Sequence, residues 1–168
     1  MASLNLSIPV LLTYAGNISA MMCAQAVSVG SGAAVLLNPI DYSGNTTTQL
    51  WQFGSDNRIY LFNPNDALNP ILCLSFSGSA QNGAPLVLAQ PNALDENQQW
   101  IWTNYLSLEN IGASTSGTIY MLDNNGSGTN PNNKLQLWAA NGTDAQQWLT
   151  QLLLGAAYAT MADQLATA

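Results

Sequence analysis

The sequence predicts an all-β domain with threefold internal symmetry, followed by a short tail. Two observations carry this prediction: a signature that recurs at a fixed period, and short apolar runs bounded by turn-forming residues. The signature is a Gln-x-Trp triplet at residues 49–51, 98–100 and 146–148. Its tryptophans lie 49 and 48 residues apart, and a period of this length indicates a repeat architecture.

Two further landmarks precede each triplet in the same order. Cys23, Cys73 and Met121 begin short apolar segments 28, 27 and 27 residues before the respective tryptophans. A Leu-x-Leu or similar segment follows each of them, at residues 35–37, 86–88 and 135–137. Three landmarks in phase predict one domain over residues 1–152, with repeats at about residues 5–55, 56–103 and 104–152.

Each copy is predicted to consist of short β-strands. Apolar runs of three to five residues, such as Ile59–Phe62, Ile71–Leu74 and Tyr105–Leu108, are typical of strands. Segments rich in Gly, Asn and Ser at residues 30–32, 78–83 and 124–133 predict the turns. Nothing before residue 150 has helical periodicity over a useful length. We therefore expect about a dozen strands in a sandwich or barrel, and the threefold period favours a threefold-symmetric barrel.

Residues 153–168 form the Ala-rich tail. Tyr158, Met161, Ala162 and Leu165 fall on one stripe at helical spacing, so this segment could form a short helix. A helix this short is marginal alone in water. The tail is expected to dock on the barrel, to join a second subunit in a homo-oligomer, or to stay disordered.

The repeat also predicts structural roles for the cysteines and for the triplets. Because Cys23 and Cys73 share their position with Met121, we interpret that position as inward and apolar. Free buried thiols are favoured, and a disulfide between the two copies stays open. The tryptophans are predicted to anchor the core, and the preceding glutamines to bond the backbone of their own repeat.

Charge excludes several function classes. Only 7% of the residues are charged, the net charge is −7, and Arg58 and Lys134 are the only basic side chains. No basic patch can therefore form for nucleic acid or for an anionic membrane. The absence of histidine removes the commonest general base and the usual zinc ligand. We expect no cofactor and no metal. A surface of neutral amides and hydroxyls suits neutral polyhydroxy ligands.

The sequence shows no targeting or membrane segment. Residues 1–26 lack a basic start, and Pro9, Asn17 and Ser19 interrupt their apolar character. No apolar run approaches the roughly 18 residues of a membrane span. We expect a cytoplasmic protein or one released by a non-classical route, without direct membrane insertion.

With its three landmarks in three copies, the chain resembles the ricin-B-type β-trefoil lectins over about residues 5–152. The resemblance implies twelve strands, six in a barrel and six capping it, with up to one shallow sugar pocket per repeat. It also implies a free-standing, non-catalytic lectin that binds terminal galactose or N-acetylgalactosamine on glycans or glycoproteins.

A pocket of that family needs an Asp after the first landmark, an aromatic ring after the Leu-x-Leu strand, and an amide near the triplet. The carboxylate is a strong acceptor for sugar hydroxyls, and the ring stacks on the C–H face of the sugar. Only the third copy qualifies. The implied sugar-binding residues are Asp123, Trp138, Asn141, Asp144 and Gln146. One departure is Ala145, where the family commonly has Asn.

The other two copies differ from this pattern. In the second copy Ser75 and Ala89 replace the Asp and the ring, so no sugar pocket is expected there. The first copy has Gln25 and Asn38 at these positions, with Asp41-Tyr42 just beyond, and an altered site stays open.

The sequence raises three alternatives to sugar binding. A trefoil could bind a protein, for example as a protease inhibitor, through the exposed loop Asn124–Asn133. An enzyme is disfavoured, because the carboxylate pair Asp95-Glu96 lies in a turn beside a structural triplet. A calcium loop starting at Asp123 is rejected, because its twelfth position is Lys134 instead of a bidentate Glu.

Overall fold

The computed structural model describes residues 7–43, 45–62 and 71–153. Over these ranges the chain forms twelve strands: β1 (Val10–Tyr14), β2 (Met22–Ala26), β3 (Val35–Pro39), β4 (Leu50–Phe53), β5 (Ile59–Leu61), β6 (Cys73–Phe76), β7 (Leu86–Ala89), β8 (Trp100–Trp102), β9 (Leu108–Asn110), β10 (Tyr120–Asn124), β11 (Asn133–Ala139) and β12 (Trp148–Gln151). Its helices are short 3₁₀ turns at Ile18–Ala20, Thr47–Gln49, Glu96–Gln98, Ala113–Ser116, Asn125–Ser127 and Asp144–Gln146. The predicted tail helix lies outside the described residues.

Six strands, β1, β4, β5, β8, β9 and β12, form a closed barrel. β1 pairs antiparallel with both β4 and β12, and β4–β5 and β8–β9 are hairpins. Backbone hydrogen bonds close the two other seams, from Trp100 N to Asn57 O at 2.7 Å and from Trp148 N to Leu106 O at 2.8 Å. Closure leaves the barrel without an exposed edge.

The hairpins β2–β3, β6–β7 and β10–β11 cap the barrel, and each is hydrogen-bonded to the other two. Leu88 N donates to Ala33 O, and Leu137 N donates to Ala84 O, each at 2.8 Å. The third contact is the pairing of β11 with β3. This arrangement is the threefold-symmetric barrel that the repeat predicted, and it is the β-trefoil that the resemblance implied. It also brings a loop of the second copy against the hairpin of the third.

The triplet tryptophans are core residues, as predicted. Trp51, Trp100 and Trp148 are at most 3% exposed and belong to the main apolar cluster. Each indole Nε1 donates to the carbonyl oxygen of the equivalent β2, β6 or β10 residue, at 3.0, 3.0 and 3.1 Å. The same bond in all three copies explains why the signature recurs, since a buried indole N–H requires an acceptor.

Strand prediction succeeded in part. Ile59–Phe62 is confirmed as β5, and Ile71–Leu74 was placed slightly early, because β6 begins at Cys73. The strand over Tyr105–Leu108 is wrong. Tyr105 is 82% exposed, and Leu106 has a φ of 58° in a turn before β9. Leu106 must turn there because its carbonyl closes the barrel seam on Trp148.

The two cysteines are free and buried, as favoured. They do not face the main core, however: the next residue on each strand, Ala24 or Leu74, does. Cys23 instead packs in a smaller cluster with Leu11 and Phe62. Burial raises the pKa of each thiol to about 12, so both are unreactive at neutral pH. No helix in the described ranges has the length and apolarity to cross a bilayer.

Candidate functional site

The third hairpin sorts its residues onto two faces. In the β10–β11 register Asp123 is opposite Gln136, and Met121 is opposite Trp138. Residues that are directly opposite, or two apart along one strand, share a face of the sheet. Asp123, Gln136 and Trp138 therefore lie on one face, while Leu122 and the two leucines of the Leu-Gln-Leu segment enter the core on the other.

Two glutamine amides hold the carboxylate of Asp123. Gln136 Nε2 donates to Asp123 Oδ1 at 3.0 Å, and Gln146 Nε2 donates to Asp123 Oδ2 at 3.3 Å. Asp123 is 4% exposed. This burial raises the pKa of its carboxyl above the ordinary value, and the hydrogen bonds from Gln136 and Gln146 act in the opposite direction. Each carboxylate oxygen keeps further acceptor capacity.

The glutamine of each triplet has a structural role. Gln146 Nε2 donates to Ala139 O at 3.1 Å, and its Oε1 accepts from Asn141 N at 3.1 Å. Gln49 and Gln98 make the same pair of bonds to their own repeats, at 2.8 to 2.9 Å. Only in the third copy does this amide also reach a carboxylate.

Trp138 presents an indole beside the carboxylate. Its side chain is partly exposed, unlike the buried triplet tryptophans. The backbone N–H of the next residue, Ala139, donates to Asn82 Oδ1 of the second copy at 2.7 Å. The strand that carries the ring is therefore fixed on both edges, by β10 and by this loop. A partly exposed indole can stack on an apolar ligand surface.

Asn141 and Asp144 lie in the adjoining exposed loop. Asn141 Oδ1 accepts from Thr143 N at 3.0 Å and from Thr143 Oγ1 at 2.8 Å, which is an Asx-turn. Asp144 begins the 3₁₀ turn that delivers Gln146. The structure thus brings Asp123, Trp138 and Gln146 to one surface, and it gives Asn141 a turn-forming role at the edge of that surface.

Comparison with known proteins gives the family. The model of the ricin-type β-trefoil lectin domain matches residues 13–148, most of the chain. The chain belongs to the ricin-type β-trefoil lectin family. No curated protein matches it.

Solved β-trefoil lectins share the fold at low identity. The Vibrio vulnificus hemolysin/cytolysin β-trefoil lectin, with bound N-acetyl-D-lactosamine, is 17% identical with a TM-score of 0.65, covering 88% of this chain and 96% of that one. The C-half of the earthworm R-type lectin, in complex with GalNAc, is 12% identical with a TM-score of 0.66, covering 85% and 97%. A non-toxic type II RIP homologue from Momordica charantia (bitter gourd), in complex with α-methyl-D-galactoside, is 20% identical with a TM-score of 0.61, covering 89% and 48%.

One polar residue of the third copy was not predicted from the sequence. Gln136 orients the carboxylate of Asp123, and its Nε2 also lies 3.3 Å from Asn125 Oδ1. The sequence feature that could have predicted Gln136 is its place in the middle of the Leu-x-Leu strand, because that side chain faces away from the two leucines. That position is Leu36 in the first copy and Val87 in the second, so only the third copy has a polar side chain there.

In the second copy a buried arginine lies beside the triplet. Buried Arg58 donates from Nη1 to Asp56 Oδ2 at 2.8 Å and from Nη2 to Asn92 O at 2.6 Å. Its Nε also reaches Gln98 Oε1, at 3.4 Å. The guanidinium therefore takes up the polar atoms around the second triplet. With Ser75 in place of the Asp and no ring, this copy lacks the arrangement of the third.

The first copy uses its carboxylate internally. Asp41 accepts hydrogen bonds from the backbone and hydroxyl groups of Ser43 and Thr46. These bonds, the side-chain ones first, lower the pKa of Asp41 to about 2. Asn38, which replaces the ring, accepts from Asn132 N at 3.0 Å. The Asp41 carboxylate is thus hydrogen-bonded within its own loop.

Proposed function

We propose that this chain is a non-catalytic lectin, with one lectin domain over residues 1–152, that binds terminal galactose or N-acetylgalactosamine on the third hairpin. The observation that carries the proposal is the shared face of Asp123, Gln136 and Trp138, with Gln146 at its edge. Neither of the other copies has a carboxylate and an aromatic ring at the equivalent positions, which are Gln25 and Asn38 in the first copy and Ser75 and Ala89 in the second. The complexes of the fold neighbours with GalNAc and with α-methyl-D-galactoside support the choice of sugar class.

The chemistry of the face suits a hexose. A carboxylate accepts hydrogen bonds from two neighbouring hydroxyls more strongly than a neutral acceptor does. The indole of Trp138 would cover the apolar C–H face of the ring, which orients the sugar at low entropic cost. Since each hydrogen bond exchanges a bond to water, the net gain per site is small and the affinity should be weak.

Preorganisation supports the same proposal. Gln136 and Gln146 fix the carboxylate of Asp123 from two sides, and Gln146 is itself fixed by two backbone bonds. A protein side chain held in this way loses little conformational freedom when a ligand binds. The acceptor of the site is therefore in place before a sugar arrives.

The loop between β10 and β11 does not favour the protein-binding alternative. Asn133 Nδ2 donates to Asn124 Oδ1 at 2.6 Å and to Asn125 O at 2.9 Å, and Asn124 Nδ2 donates to Gly128 O at 3.0 Å. The loop is therefore folded back on its own hairpin. An inhibitor loop must instead offer extended backbone to a protease cleft.

A glycan array tests the proposal. The unmodified chain should bind glycans that end in galactose or N-acetylgalactosamine, and Trp138→Ala should lose at least about tenfold in affinity, because both the stacking area and the orientation of the sugar are lost. The matched control is Trp102→Ala. That ring is also partly exposed, but it stacks on Phe53 of the barrel at a centroid distance of 5.9 Å.

The two variants give different outcomes under the proposal. Trp102→Ala should keep the whole binding profile, and circular dichroism should show both variants folded. If Trp138→Ala keeps the profile while folded, the third hairpin is not the sugar site. If the unmodified chain binds no glycan, the lectin proposal itself is wrong.

A further inference from the structure

The two basic side chains of this lectin are in opposite situations. Arg58 is buried and forms an ion pair with Asp56 at 2.8 Å. Lys134, the only lysine of the sequence, pairs with no carboxylate of the described residues. In a chain with a net charge of −7, this ammonium group is the one cationic side chain not already neutralised by an ion pair within the described ranges.

Lys134 lies on the same face as the proposed sugar site. It precedes Gln136 by two residues on β11, so both side chains leave the same side of the strand. Lys134 Nζ donates to the carbonyl oxygen of Gly83, across the boundary with the second copy. The ammonium is thereby held against the loop of the second copy.

Gly83 lies next to the polar ends of Lys134 and Gln136. A Cβ at this position would lie 3.8 Å from Lys134 Nζ and 3.9 Å from Gln136 Oε1. Both distances are ordinary van der Waals contacts, so the two polar atoms lie on the same side of this glycine. The backbone of Gly83 has a φ of +87°, which favours glycine. The site thus continues from the carboxylate, past Gln136, to a cationic end.

We propose that this end recognises an anionic substituent of the bound glycan, a carboxylate or a sulfate carried on or next to the sugar held by Asp123. The inference rests on the proposed function. Two N–H donors of the ammonium stay available after the bond to Gly83. Asp123 accepts the neutral hydroxyls, and Gln136 separates its negative charge from that of the substituent.

The expected preference is modest. A solvent-accessible ion pair changes an affinity by a factor of two to about five. At about 0.15 M salt the screening length is about 8 Å, so the distributed negative charge of the chain is largely screened while the local contact is not. We expect acidic glycans to bind about threefold more tightly than their neutral counterparts.

Calorimetric titration can measure this ratio with N-acetyl-lactosamine and its sialylated and sulfated derivatives as probes. The unmodified chain should prefer at least one derivative, and which one it prefers distinguishes a carboxylate from a sulfate ligand. Lys134→Gln keeps a donor for Gly83 but removes the charge, so its ratio of acidic to neutral affinity should fall to about one. Lys134→Arg should keep the preference.

The outcomes separate the two proposals. If the unmodified chain binds neutral N-acetyl-lactosamine but neither derivative more tightly, the role of Lys134 is refuted and the lectin function stands. The same holds if folded Lys134→Gln keeps the preference. If no probe binds, both proposals are wrong.

Discussion

Replacing Gln146 by Ala tests two roles of this residue: it supports the backbone of its repeat, as the glutamine of each triplet does, and it positions the proposed sugar-binding carboxylate. The change removes two backbone contacts, to Ala139 O and from Asn141 N, and the contact to Asp123. Each buried group that loses its partner costs about 1 to 3 kcal/mol, so we expect a loss of about 2 to 4 kcal/mol in the free energy of unfolding. That is a large share of the 5 to 15 kcal/mol of an ordinary domain.

Gln49→Ala is the matched variant. Gln49 makes the equivalent contacts to Pro39 O and from Asp41 N, and its third partner is Gln25. Urea unfolding should therefore show losses of similar size in both variants, with an unchanged dependence on urea concentration. Binding to galactosides, measured at low temperature where both variants are folded, should be lost only for Gln146→Ala.

Two results would refute this reasoning. Equal stability of Gln146→Ala and the unmodified chain would show that the glutamine does not support the backbone. Loss of binding in folded Gln49→Ala would show that the first copy also contributes to the sugar site.

Three further predictions concern ionisation, reactivity and packing. Because burial raises the pKa of Asp123, galactoside binding should fall on acidification at a pH above the ordinary value of about 3.9. The pKa of Asp123 is higher in the folded state than in the unfolded state, so its protonation favours folding. Asp123 itself should therefore cause no loss of the free energy of unfolding over the pH range in which binding falls. Urea titration at each pH checks this. Both thiols should resist a thiol reagent at neutral pH until the chain unfolds, and rapid labelling of the native protein would contradict their burial. Gly16→Ala should destabilise the chain strongly, because the new Cβ would lie 2.1 Å from the carbonyl oxygen of Asp144. Gly30→Ala meets nothing within 4 Å and should leave the melting temperature nearly unchanged.

The fold was predictable because the residues that recur in the sequence make the same hydrogen bonds in each copy. Trp51, Trp100 and Trp148 bond equivalent carbonyls, and the glutamines of the triplets bond equivalent backbone groups. Local pattern alone failed where a tertiary contact decided the backbone. The apolar run Tyr105–Leu108 resembles a strand, but the seam between barrel strands requires a turn at Leu106.

The candidate site was predicted from the pocket pattern of the family that the sequence resembles. That pattern assigned Asp123 and Trp138 in the third copy, and the structure places both residues on one hairpin. Gln136 was missed because it lies within an apolar strand, and the register with β10 decides that Asp123 is the residue opposite it. The turn-forming bonds of Asn141 could not be foreseen either, since they depend on how the loop before the triplet closes.

The central claim is that one face of the third hairpin, and no other, binds sugar. The five tryptophans offer a direct test, because each indole N–H gives its own signal in a nitrogen–proton correlation spectrum. On titration with methyl galactoside the indole signal of Trp138 should shift, while those of the three triplet tryptophans and of Trp102 should stay in place. A shift of the Trp102 signal with that of Trp138 unchanged would contradict the assignment of the site.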